Sequence, residues 1–175
     1  IPATAQLQKK DIVYRVQASS AKAIICVEED EVRTHVLASA EDCDTLECLF
    51  TLGECEGFIN FDAEMEAASP VWEKPADLPK NDDIMLMYFT SGTTGMPKMA
   101  AHSWTYPIAQ TVTAYYWHNV SDGDIHIAVA DTGWAKAGWG KIYGQWICGA
   151  TIFCYDMVGR FNPANLLKKV EQYQV

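Results

Sequence analysis

The segment Thr90–Lys98, with the sequence TSGTTGMPK, carries the residue types that bind anions. It opens with six small residues, four of which have hydroxyl groups, and it ends in a lysine. Glycines let the backbone approach an anion closely, hydroxyl and N–H groups donate hydrogen bonds to it, and the lysine adds a positive charge. This combination predicts a loop that binds polyphosphate.

The residues on either side of this segment favour a loop with a defined conformation over the alternative, a mobile Ser/Thr/Gly linker. The continuous apolar run Ile84–Phe89 predicts a strand buried on both faces, directly before the loop. Pro97 fixes its own φ and restricts Met96, so the position of the lysine is defined. The spacing differs from a Walker A motif, because the four residues that follow Gly92 lead to Pro97 and not to Gly-Lys.

The sequence TSGTTGMPK resembles the phosphate-loop signature of the adenylate-forming superfamily, which includes acyl- and aryl-CoA synthetases, peptide-synthetase adenylation domains and luciferases. Two further stretches, Ile1–Ser19 and Val129–Asp156, are similar to acyl-CoA synthetases of the medium-chain and acetyl type. Within the second stretch, Asp131–Trp134 matches the Asp-x-Gly-Trp turn of that branch.

The resemblance implies roles for individual residues. Lys98 would stabilise phosphate charge as the catalytic contribution of the loop, and Thr93 and Thr94 are candidates to approach a Mg²⁺ ion bridging the phosphates. Gly133 and Trp134 would line the acyl pocket or the CoA tunnel, and the alternative for Trp134 is an ordinary core tryptophan. The expected ATP-phosphate contacts are Thr90, Ser91, Gly92, Thr93, Thr94, Gly95, Met96, Pro97 and Lys98.

The implied reaction is ATP-dependent activation of a short- or medium-chain fatty acid to an acyl adenylate, followed by transfer to CoA. ATP, Mg²⁺, CoA and a small carboxylic acid are therefore the expected ligands. Two alternatives stay open: an adenylation domain that loads a carrier protein, and a nucleotide-binding module without catalysis. The resemblance further implies that residues 1–175 are part of a larger amino-terminal domain. The adenine segment, the ribose contacts and the carboxy-terminal domain with its lysine are expected after Val175, so this piece alone is expected to be inactive.

Composition narrows the class of protein. The 13 basic and 23 acidic residues give a formal net charge of −10, which argues against a nucleic-acid surface. No apolar run approaches membrane-spanning length. No pair of the six cysteines has C-x-x-C spacing, and buried free thiols are expected at Cys26, Cys148 and Cys154. A reducing compartment fits best, either a bacterial cytosol or, in a eukaryote, the mitochondrial matrix.

The elements that must position the loop alternate between strand and helix patterns. This predicts an α/β fold with a doubly wound, mainly parallel sheet and helices on both faces. Thr4 is a predicted helix cap, and residues 69–83, with three prolines, are a predicted connector. Ile125–Ala130 and Ala150–Tyr155 are predicted strands. Ligands of such sheets bind beyond the carboxyl ends of the strands, so the Thr90–Lys98 loop and the Asp131–Trp134 turn are expected on one rim.

Overall fold

The computed structural model describes residues 1–91, 95–156 and 161–175. These residues form two compact units. The amino-terminal unit consists of Ala3–Leu78 and Tyr88–Ala100, and the carboxy-terminal unit consists of Ile1–Pro2, Pro79–Met87 and Ala101–Val175.

The amino-terminal unit is built around a three-stranded parallel sheet. Strand β2 (Cys48–Thr51) lies in the middle of this sheet. It pairs in parallel with β1 (Ala23–Cys26), from Ala23 against Cys48, and with β3 (Ile59–Asn60), from Phe50 against Ile59. A helix crosses from β1 to β2, as is usual for a parallel pair, whereas residues 52–58 join β2 to β3 without a helix. The bounds are α1 Lys9–Ser19, β1 Ala23–Cys26, α2 Asp30–Ala40, β2 Cys48–Thr51, β3 Ile59–Asn60 and α3 Phe61–Ala67.

The core of this unit lies between α1, α2 and the sheet. Ile12 and Val16 of α1 pack with Cys26 and Val36, and Leu49 and Phe58 pack against them. The spacing of Ile12 and Val16 places both on one face of α1. The predicted cap Thr4 was wrong: α1 begins at Lys9, after the N-cap Gln8, whose backbone N–H donates to the Asp11 carboxylate at 3.2 Å.

The predicted strand before the loop is β4, Ile84–Thr90, and the strand after it is β5, Lys98–Ser103. The two strands form a sheet of their own. They run in opposite directions, because the backbone N–H of Trp104, just after β5, donates to the carbonyl of Asp83, just before β4. Full burial on both faces of β4 was wrong: Leu86 and Tyr88 on one face are buried, whereas Met87 and Phe89 on the other face are only half-buried, so burial alternates with the period of two of a strand.

The carboxy-terminal unit is mainly helical. Helix α4 continues directly into the π-helical segment Thr113–Trp117, and a second π-helical segment, Gly138–Ile142, joins α5 to α6. Strands β6 and β7 pair in parallel, with Ile125 against Thr151. The bounds are α4 Tyr106–Val112, β6 Ile125–His126, α5 Ala135–Ala137, α6 Tyr143–Ile147, β7 Thr151–Ile152 and α7 Pro163–Tyr173.

The α/β class and the parallel pairing predicted from the sequence are confirmed, with two differences. The described strands form three small sheets, of which two are parallel. The strands predicted at Ile125–Ala130 and Ala150–Tyr155 are also shorter than expected, at two residues each. None of the helices that the structure describes is long and apolar enough to span a membrane.

Candidate functional site

The Thr90–Lys98 loop connects the end of β4 to the start of β5. The Thr90 hydroxyl donates to the Lys98 backbone carbonyl at 3.3 Å, so a side chain joins the last residue of one strand to the first residue of the next. Gly92, Thr93 and Thr94 lie outside the described residues, and their expected phosphate and Mg²⁺ contacts stay predictions.

The polar groups of the described part of the loop face solvent. Thr90, Ser91 and Lys98 are all exposed. Lys98 forms no ion pair with any residue that the structure describes. A lysine that is exposed and not neutralised, next to two exposed hydroxyls, can bind a phosphate oxygen without first breaking an internal contact.

Gly95 gives the loop a backbone conformation that other residues rarely adopt. Its φ is +105°, and a Cβ added there would meet no atom within 4 Å. The glycine is thus required by the backbone conformation and not by a lack of space. Met96 is exposed, and Pro97, which is half-buried, locks the φ angle directly before Lys98.

Helix α1 contacts both ends of the loop through two adjacent residues. The Tyr14 hydroxyl donates to the Pro97 carbonyl at 2.7 Å, and the Tyr14 ring lies edge-on to Phe89 with centroids 6.0 Å apart. The Arg15 guanidinium carbon lies 4.7 Å from the centre of the Phe89 ring, a cation–π distance. Burial lowers the pKa of Arg15, and the nearby Asp11 carboxylate opposes that effect.

These contacts are the part of the site that sequence reasoning missed. Tyr14 and Pro97 are 83 residues apart in the chain. The available signal was that Tyr14 and Arg15 lie between the two core positions of α1, Ile12 and Val16, but no local pattern indicates which strand such a helix contacts.

The Asp131–Trp134 turn has the geometry that its sequence suggests. The Gly133 N–H donates to the Asp131 carboxylate at 2.7 Å, and the Trp134 N–H donates to the Asp131 carbonyl at 3.0 Å. Trp134 itself is 66% exposed, so the ordinary core tryptophan was the wrong alternative. Gly133 and Trp134 belong to the carboxy-terminal unit, and their role in an acyl pocket stays a prediction.

The carboxy-terminal unit brings two histidines together. The rings of His118 and His126 are 5.3 Å apart, and His118 stacks on Trp139 at an angle of 6°. His118 Nδ1 is 3.0 Å from the amide nitrogen of the fully buried Gln145. Desolvation, the charge of His126 and that of Lys136 all lower the pKa of His118. His102 lies in β5, and its ring packs on the ring of Tyr106 with centroids 4.5 Å apart.

The cysteines are free in the structure. Cys26 and Cys43 are buried, and burial raises the pKa of each thiol, which disfavours the reactive thiolate. The expected burial of Cys154 was wrong, because β7 ends at Ile152 and leaves Cys154 exposed. In the described ranges, no group of three or more His, Cys, Asp or Glu side chains is arranged to hold a metal ion.

The family model described as AMP-binding enzyme matches residues 1–175. The chain belongs to this family, which confirms the resemblance predicted from the Thr90–Lys98 motif.

Two curated relatives that the chain matches are mitochondrial acyl-coenzyme A synthetases. The chain is 35% identical over 178 residues to the human mitochondrial acyl-coenzyme A synthetase ACSM3, covering all of this chain and 30% of the relative. It is 38% identical over 178 residues to the mouse mitochondrial acyl-coenzyme A synthetase ACSM4, with the same coverage. The chain thus spans about a third of the length of these curated relatives.

Solved structures show the same fold. The acyl-CoA synthetase of Brucella canis superposes with a TM-score of 0.82 at 26% identity, over 99% of this chain and 31% of that one. The anthranilate CoA ligase AuaEII, in complex with anthranoyl-AMP, superposes with a TM-score of 0.79 at 20% identity, over 96% of this chain and 32% of that one. The α/β architecture is therefore that of adenylate-forming enzymes.

Proposed function

We propose that this chain is the phosphate-binding part of an ATP-dependent acyl-CoA ligase that acts on short- or medium-chain fatty acids. The observation that carries the proposal is the loop between β4 and β5, in which Thr90 bonds to the Lys98 backbone while the Lys98 side chain stays exposed and unpaired among the described residues. Family membership and the acyl-CoA synthetase relatives support the same reaction.

In the proposed reaction, a carboxylate oxygen of the fatty acid attacks the α-phosphorus of ATP. The bond from that phosphorus to the bridging oxygen breaks, and pyrophosphate leaves with both electrons of that bond. A CoA thiolate then attacks the acyl carbonyl carbon and displaces AMP. Two anions must meet in the first step, so positive charge near the phosphates lowers the barrier.

Each described residue of the loop has a part in this step. Lys98 would neutralise charge on the β- and γ-phosphates and on the departing pyrophosphate. Ser91 would donate a hydrogen bond to a phosphate oxygen, and the Thr90 hydroxyl, which donates to the Lys98 carbonyl, would hold the two ends of the loop together beside the phosphates. The backbone of Gly95–Pro97 would shape the loop around the phosphate oxygens. Mg²⁺ would add positive charge at the phosphates, and Thr93 and Thr94 are the residues proposed to hold it.

The proposal includes the acyl side of the site and the cellular compartment. The exposed Trp134 and its neighbour Gly133 would contact the acyl chain or the CoA thiol, because a large apolar ring at a turn can limit chain length. The free cysteines support a reducing compartment, such as a bacterial cytosol or the mitochondrial matrix. The relatives named above are described as mitochondrial.

The test is ATP–pyrophosphate exchange by the intact protein, with octanoate, butyrate and acetate compared and a reaction without carboxylate as the control. We expect carboxylate-dependent exchange, followed by thioester formation when CoA is added. Exchange without CoA thioester formation would favour the loading of a carrier protein. Nucleotide binding with no exchange for any carboxylate would contradict the ligase and favour a non-catalytic module.

A further inference from the structure

The loop is held from one side by a single turn of α1. Tyr14 contacts Phe89, the residue before Thr90, and also Pro97, the residue before Lys98. Arg15 contacts Phe89 as well. One pair of adjacent side chains therefore touches the loop at its entrance and at its exit.

The bond to Pro97 fixes more than one atom. The Pro97 carbonyl and the Lys98 nitrogen belong to the same planar peptide unit, which extends to the Lys98 Cα. A 2.7 Å hydrogen bond from Tyr14 to this carbonyl therefore sets the orientation of the whole plane. The Lys98 carbonyl is in turn bonded to Thr90, so the backbone of Lys98 is held on both sides.

Tyr14 is itself well placed to act as a support. It is half-buried in α1 between the core residues Ile12 and Val16, which anchor that helix turn. The α1 turn cannot shift without disturbing this core, since packed interiors resist displacement. Tyr14 is thus held in place by the core of the amino-terminal unit and not by the loop that it contacts.

We propose that Tyr14 is a positioning residue that directs the Lys98 ammonium toward the phosphates, with the Tyr14–Arg15 turn setting the separation of the two loop ends. This inference rests on the proposed function. Holding the Lys98 backbone before ATP binds reduces the conformational freedom that the loop loses on binding. Tyr14 acts through Lys98 and does not itself touch ATP.

The matched test is Tyr14→Phe, which removes one oxygen and keeps the ring contact with Phe89, in the intact protein. Tyr116→Phe is the control, because Tyr116 is 79% exposed and lies in the other unit. Losing one hydrogen bond corresponds to about a three- to ten-fold effect, so we expect the KM for ATP to rise by that factor in Tyr14→Phe. The KM for the carboxylate and the midpoint of thermal unfolding should stay near those of the wild type.

A double-mutant cycle separates positioning from general stability. Affinity for Mg·ATP, measured by calorimetry and so without turnover, is compared for Tyr14→Phe in the wild-type and Lys98→Met backgrounds. Because Tyr14 acts through Lys98, its substitution should have less than about a two-fold effect once the ammonium is gone.

The possible results distinguish the positioning role of Tyr14 from the proposed ligase function. An unchanged KM for ATP in Tyr14→Phe, or an equal loss of affinity in both backgrounds, would overturn the inference and leave the ligase intact. A parallel rise in both KM values with a lowered unfolding midpoint would also overturn it, since that pattern indicates a structural role. If the wild-type protein catalyses no exchange, the proposed function fails and the inference fails with it.

Discussion

Gly144 of α6 lies directly against the backbone carbonyl of Gln110 in α4. A Cβ on Gly144 would overlap that carbonyl and would come within 3.1 Å of the Ala114 Cβ. The two helices therefore pack closely because this position has no side chain. The glycine at position 144 therefore serves helix packing.

We expect Gly144→Ala to lower the free energy of unfolding by about 1–3 kcal/mol, the usual cost of overpacking. Urea unfolding of the wild type and of the variant measures this loss in the free energy of unfolding. Gly140→Ala is the matched control, because its Cβ would meet Lys136 Cγ at 3.4 Å and His118 Cε1 at 3.8 Å, which are ordinary contacts. The control should be neutral or slightly stabilising, since alanine favours helix. Equal destabilisation by both substitutions would contradict this account.

Arg33 is a second residue whose role is structural. It is buried, and its Nε donates to the Thr51 hydroxyl at 3.0 Å while its Nη2 donates to the Leu52 carbonyl at 2.6 Å. Arg33→Met would remove both of these hydrogen bonds, although the Leu52 carbonyl would keep the Thr51 hydroxyl as a donor at 3.2 Å. We expect a loss of about 1–3 kcal/mol in the free energy of unfolding.

Chemical denaturation of Arg33→Met beside Lys22→Met checks this prediction. Lys22 pairs with Glu47 at 2.8 Å, but both side chains are more than 60% exposed. Exposed ion pairs contribute between about 0 and 1 kcal/mol, so the control should unfold near the wild-type midpoint. An Arg33→Met variant as stable as Lys22→Met would show that Arg33 contributes little.

Local patterns indicated the starts of two helices but not that of α1, which begins at Lys9 and not after Thr4. Asn60 accepts from the Ala63 N–H and begins α3, and Asn162 does the same for Ala164 at the start of α7, both as their residue types predict. Strand lengths were overestimated, because a strand needs a paired neighbour and β6 pairs with β7 over only two residues. Apolar content alone does not show where pairing stops.

The site was predictable only in part. The types and order of residues in Thr90–Lys98 predicted the loop and its family, since a phosphate-binding loop is a local feature. The support from Tyr14 was not predictable, because it depends on a contact across 83 residues of sequence. Trp134 shows a similar limit: sequence does not indicate whether a tryptophan is packed, and the structure leaves it 66% exposed.

His118 should make the stability of the protein depend on pH. Its pKa is lowered in the folded state, chiefly by desolvation and further by His126 and Lys136. The unfolded chain therefore binds the proton more readily, so the stability contribution is complete above the unfolded pKa of about 6.5. It is lost as pH falls from there through the folded pKa.

Urea unfolding between about pH 5.5 and 7.5, around the ordinary histidine pKa, tests this dependence. His118→Asn removes the titrating group and retains an oxygen to accept from Gln145, so its unfolding free energy should vary less with pH than that of the wild type. His35→Asn is the control, because His35 lies in α2, where its Nε2 is 4.0 Å from the Glu31 carboxylate. A wild-type slope that survives in His118→Asn would assign the dependence to another group.

Lys98 should matter for phosphate binding and not for folding. It is exposed and has no ion pair within the described ranges, so Lys98→Met removes charge without leaving a buried partner unpaired. We expect affinity for Mg·ATP and for inorganic pyrophosphate to fall by about ten-fold or more, because hydrogen bonds to charged groups contribute about 1.5–3 kcal/mol. Lys74→Met, at an exposed position between α3 and β4, is the matched control and should bind both ligands like the wild type. Calorimetric titration measures the two affinities. Equal affinities for Lys98→Met and the wild type would mean that the loop binds phosphate through its hydroxyl and backbone groups alone.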